Sequence, residues 1–131
     1  MRAIDTNILV RAFVQDDPAQ AGRAQALLAK HQVFVPVTVM LELEWVLRSR
    51  YGFAPKVIAL ALEQIASLEN AVIGERLAVV AATQSMARGW DFADGLHQAL
   101  SSGCDDFATF DTTLAKRAKR NALTAPPVVE V

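Results

Sequence analysis

The chain is 131 residues long and contains one cysteine, Cys104. No disulfide can form within it, and no cysteine-rich zinc site can be built. It has no uncharged apolar run of 18 residues, which excludes a membrane-spanning helix. Six glycines and five prolines are scattered without a tract, so there is no low-complexity segment or Gly/Ser linker. Neither charge sign dominates: thirteen Lys+Arg stand against fourteen Asp+Glu, a formal net charge of −1. That balance argues against a strongly basic nucleic-acid clamp and against an acidic disordered tail, and leaves a nucleic-acid enzyme open. Aromatics make up only 7%. They do not interleave with the basic residues as they would in a stacking platform for single strands. An acid at position 5 stands where a signal peptide would need an apolar run. Together with the cysteine count, this leads us to expect a reducing, cytoplasmic setting.

What is present is a high apolar content, 53%. At this length folding buries roughly two-thirds of the unfolded surface, enough for a true core. Disorder is excluded on composition, and the apolar excess calls for a surface covered by a partner. With no repeat or linker, residues 1–131 read as one domain.

Short apolar runs alternate with helical periodicity. Strands are expected at Ala3-Ile4, Val33 to Val37, Ala71 to Gly74, Asp106 to Phe110 and Val128-Val129. Helices are expected after Asp5-Thr6-Asn7, from Pro18 to about Lys30, after a Thr38 cap, and from Pro55 to about Leu68. Three more are expected from Glu75 to Arg88, from Asp91 to about Ser102, and from Thr112 to Asn121. The strands are apolar on both faces rather than alternating. That is the pattern of a short, mostly parallel sheet covered by helices on both sides. In such sheets ligands bind beyond the carboxyl ends of the strands.

Four acids fall by that edge. Asp5 and Asp111 close strands, Asp94 lies in the first turn of a helix, and Glu42 lies about one turn into another. Each has a structural reading. Asp5 and Asp111 can cap the helices that follow them, and Asp91 and Asp94 have capping-box spacing. Glu42 sits beside Trp45 and Val46 at helical spacing, so it lies at the core edge or is held by a ligand. If the four acids converge, they repel one another unless a cation joins them. Oxygen ligands select hard cations, so Mg²⁺ is the natural occupant, with Mn²⁺ possible. Phosphodiester hydrolysis is the matching chemistry. Thr6, Asn7 and Thr109 add polar groups beside these acids, and Asp91 can share the role of Asp94.

These residues carry a family resemblance. Ala3-Ile4-Asp5-Thr6-Asn7 resembles the opening strand and D-T-N signature of PIN domains. Glu42 in Val39-Met40-Leu41-Glu42 is similar to the second acid, Asp91-Phe92-Ala93-Asp94-Gly95-Leu96-His97 to the third motif, and Thr109-Phe110-Asp111 to the T-x-D motif. The small VapC-type toxins are the nearest kind. The resemblance implies a three-layer α/β/α fold and a metal-dependent endoribonuclease of a toxin–antitoxin pair. It also implies a homodimer and a cognate antitoxin that blocks the site. Its functional acids carry over to Asp5, Glu42, Asp94 and Asp111. Gly95 departs from what a helix prefers.

Lys116, Arg117, Lys119 and Arg120 fall within five positions. They read either as a helix end complementing its dipole or as RNA phosphate contacts. Arg11, Arg48 and Arg50 are further phosphate candidates, and His97 is three residues from Asp94. Trp45, Tyr51 and Phe53 read either as core or as the surface receiving an antitoxin helix. Two other functions compete. A phosphatase with Asp5 as nucleophile would want an acid where Asn7 stands. A receiver-like Mg²⁺-binding interaction domain would want a lysine at a late strand end.

Overall fold

Apolar tripeptides and well-placed capping residues set the local structure. It is described in a computed structural model for residues 1–120 and 126–131. The chain forms two compact units, residues 1–76 and 77–131.

The first unit begins with β1 (Arg2–Ala3), followed by α1 (Thr6–Val14) and α2 (Pro18–Lys30). It continues with β2 (Val33–Val35), α3 (Val37–Ser49), α4 (Pro55–Ala66) and β3 (Ala71–Ile73). The three strands pair in parallel in the order β1-β2-β3. Val33 and Val35 are fully buried on the central strand. Met40, Leu43, Leu47, Ile58 and Leu62 bring α3 and α4 into the core. Burying each such side chain contributes about 1.5–3 kcal/mol.

Helix starts follow the local chemistry. Asp17 accepts the Gln20 N–H at 3.1 Å and Pro18 occupies the first turn of α2, where its missing N–H is harmless. Pro55 opens α4 in the same way. Thr38 does not cap α3. Pro36 is at the cap position, and its carbonyl accepts from the Val39 and Met40 N–H groups, so the helix begins earlier. The apolar run that suggested a strand to Val37 therefore ends at Val35. After β3, the Gly74 N–H reaches the Val35 carbonyl at 2.8 Å. A Cβ at Gly74 would meet the Val37 nitrogen at 3.1 Å, so this crossing needs glycine.

The second unit holds α5 (Arg76–Met86), α6 (Phe92–Leu100), β4 (Phe107–Thr109), α7 (Thr112–Arg120) and β5 (Val128–Glu130). Glu75, expected at the start of α5, has φ 52° and stays outside it. β4 and β5 pair in parallel, with Phe107 beside Val128. Trp90, Leu114 and Ala118 form a buried cluster against which Phe107 and Val128 pack. Gly95, disfavoured in a helix by propensity, has a packing reason. A Cβ there would stand 3.3 Å from Ala82 Cα and 3.5 Å from Ser85 Cβ, so α6 approaches α5 closely at this point. Asn121, the expected end of α7, lies outside the described residues.

The fold is α/β. Among the described residues it has seven helices and short, wholly parallel sheets, as expected from the alternating pattern. No helix among these residues is long and apolar enough to cross a membrane.

Candidate active site

The acids divide between the two units. In the first unit, Asp5 follows β1 and caps α1, accepting the Asn7 N–H at 2.7 Å. Its structural role is therefore real, and the carboxylate is exposed. Thr6 is buried, and its hydroxyl donates to the Glu42 carboxylate on α3. One hydrogen bond thus joins the D-T-N segment to an acid 36 residues away.

Glu42 is itself exposed and is not wedged into the core. The buried acid of α3 is Glu44, whose carboxylate accepts from Arg48 Nε at 3.0 Å. The Glu44–Arg48 spacing of i, i+4 was the available sequence signal for that pair.

In the second unit, Asp91 occupies the N-cap of α6, but its side chain makes no capping hydrogen bond. Asp94 is in the first turn and is half-buried. Partial burial pushes the Asp94 carboxyl up from its ordinary value, and the charges of Asp91 and Asp111 push it further. His97 and Arg117 oppose that rise. Asp111 caps α7, accepting the Leu114 N–H at 3.0 Å. Thr109 Oγ1 accepts the Asp111 N–H at 3.0 Å. Thr109 thus holds the backbone of the turn rather than the carboxylate.

The basic residues are not equivalent. Lys116, Lys119 and Arg120 are exposed on α7, whereas Arg117 is half-buried and its charge reaches Asp94. Arg11 is paired with Asp16 at 2.9 Å, and Arg50 lies 5.9 Å from the centroid of the Trp45 ring. The aromatic group splits as well. Tyr51 and Phe53 stack at 6.0 Å and Phe53 meets Phe13 edge-on, whereas Trp45 is 48% exposed.

Among the described residues, no three or more His, Cys, Asp or Glu side chains gather into a metal-holding group. The donor chemistry nevertheless fits a divalent cation. The candidate ligands are all carboxylates, and Asp94 carries a repulsion from two neighbouring acids that a cation would relieve.

No curated protein matches the chain. The family model of the PIN domain matches residues 3–120, a span that takes in every candidate acid and runs through both units. PIN domains are in general nucleases, hydrolysing phosphodiester bonds, and generally use divalent metal ions. On a match of that length, the chain belongs to the PIN domain family.

Proposed function

We propose that this protein is a divalent-metal-dependent endoribonuclease, the VapC-like toxin of a toxin–antitoxin pair, acting in the cytoplasm as a homodimer under the control of a cognate antitoxin. The observation that carries the reading is the match to the PIN domain over residues 3–120, within which half-buried Asp94, in the first turn of α6, is raised by burial and by the charges of Asp91 at the α6 N-cap and Asp111 at the α7 cap. Such an arrangement is unfavourable by itself and is eased by a hard cation, with Mg²⁺ the expected ion and Mn²⁺ the alternative. Carboxylates perturbed by burial and like charge cluster at functional sites.

These roles extend the family resemblance and the chemistry of the residues. Asp5, Glu42, Asp94 and Asp111 would hold the cation, with Asp91 able to share the work of Asp94. When bound, the cation neutralises charge on the phosphoryl oxygens and lowers the pKa of water. Thr6 orients Glu42, Asn7 secures Asp5 through its N–H, and Thr109 secures the Asp111 turn. Lys116, Lys119 and Arg120 meet RNA phosphates, and Arg117 adds positive charge close to Asp94.

The partner reading is supported by apolar surface on the first unit. Leu9, Ala12, Phe13, Leu28, Ile65 and Leu68 line a groove of about 160 Å³. Val57 and Leu60 are exposed on α4. Exposed apolar surface of this kind marks protein contacts.

Protein purified free of any antitoxin should cut RNA with Mg²⁺ or Mn²⁺ and stop when a chelator is added. Asp94→Asn and Asp5→Asn should each slow cleavage by about 100-fold or more, beyond the 10–100-fold typical of residues that only support metal ligands. Variants that cut as fast as the parent would remove these residues from the site.

A further inference from the structure

Phe110 stands between Thr109 and Asp111 with its side chain 86% exposed. The ring is not on a loose loop. The Thr109 carbonyl accepts the Val131 N–H at 2.9 Å, the Asp111 N–H is held by Thr109 Oγ1, and the Asp111 carboxylate is held by the Leu114 N–H. The backbone on both sides of the ring is therefore pinned, and the ring projects from a defined turn directly beside a candidate metal ligand.

We propose that Phe110 contacts the substrate, stacking on an unpaired base of the RNA next to the cleaved phosphate. The proposal rests on the nuclease reading above and adds a residue to it. Three observations favour a nucleobase over a protein side chain. The ring adjoins Asp111, an acid that a purely apolar docking face would exclude. Helix α7 begins two residues later and carries the exposed cations Lys116, Lys119 and Arg120, which suit a phosphate backbone. Its apolar companions along β4 and the segment paired with it are small: Ala108, Val129 at 40% exposure and Val131 at 67%. An exposed aromatic ring is a surface on which single strands stack, because every base offers a π-face.

The test uses the full chain and a short unstructured RNA. Phe110→Ala should raise KM about tenfold, the loss expected for one stacked base. Divalent-ion binding and thermal unfolding should stay at the parent's values, because the ring makes little of the core. Phe110→Tyr should restore KM. A second arm reads binding without cleavage. In an Asp94→Asn background, Phe110→Trp should add emission that RNA quenches. Asp94→Asn alone is the control, since Trp45 is itself 48% exposed.

If Phe110→Ala keeps the parent's KM on an RNA that the parent cuts, stacking is overturned and the nuclease reading survives. Absence of quenching at the added Trp also overturns stacking. If the parent cuts no RNA yet the added Trp is quenched, the nuclease reading fails, and with it the place beside a cleaved phosphate, while base stacking at Phe110 stands. If Phe110→Ala turns a dimer into a monomer in sedimentation with KM unchanged, the ring belongs to a contact between copies and the proposal falls.

Discussion

The two units hold their acids in different surroundings. In residues 1–76, the acids are accommodated: Asp5 accepts a backbone N–H, Glu42 accepts the Thr6 hydroxyl, and Glu44 is paired with Arg48. In residues 77–131, Asp94 is strained, pushed up by burial and by two neighbouring acids. Partial burial and like charge meet at Asp94 and raise its carboxyl.

The comparison can be sharpened by removing the accommodation on one side and the strain on the other. Thr6→Val deletes the hydroxyl that holds Glu42 while keeping the side chain's shape. Divalent-ion affinity, measured by titration calorimetry, should weaken about 10–100-fold, the usual effect of losing a group that orients a metal ligand. Thr6→Ser should recover most of it. Parent-like affinity in Thr6→Val would mean that this hydrogen bond does not serve the metal.

Asp94→Asn should do the reverse for stability. A carboxyl whose folded value is raised penalises the folded state once pH climbs past its ordinary value, and the penalty is complete above the raised value. The metal-free variant should therefore unfold at a higher temperature than the parent near neutral pH. The gap should close as pH falls below the ordinary carboxylate range. Because Asp94 is largely solvent-screened, the gain should be no more than about 4 °C. A lower melting temperature at neutral pH would show that Asp94 is not strained.

The smallest effect is expected at Asp16 in the first unit. A slight burial cost raises its carboxyl, but hydrogen bonds from Arg11 and Tyr51, with the Arg11 charge, outweigh that and leave it below its ordinary value. The sign is opposite to that of Asp94. Stability from Asp16 is present above the ordinary carboxylate value and lost as pH falls through the lowered one. Asp16→Asn should lower the melting temperature slightly at neutral pH, with the difference shrinking in acid. A difference that grew in acid would break the assignment.

Much of this was legible in the residues. Pro18 and Pro55 mark helix starts because their missing N–H is harmless only there. Val33 and Val35, two residues apart, mark the buried face of a strand whose other face, at Phe34, is half-buried. Strand ends were less legible, because the run Val33 to Val37 is apolar throughout while the Pro36 carbonyl already starts a helix. Gly95 looked like a departure from helix chemistry. Its reason is the neighbouring helix, whose Ala82 Cα would stand 3.3 Å from an added Cβ, and no local pattern encodes that.

The order of elements, the places of the acids and membership of the PIN domain family were in the chain itself. Propensity, capping and motif spacing act over a few residues, so they can be read along a line. Which acid is satisfied, which is strained and which aromatic ring is left in water were decided only in three dimensions. Those properties depend on groups far apart in sequence, such as Thr6 and Glu42, or on the burial that makes Asp94 and Phe110 unlike otherwise similar residues.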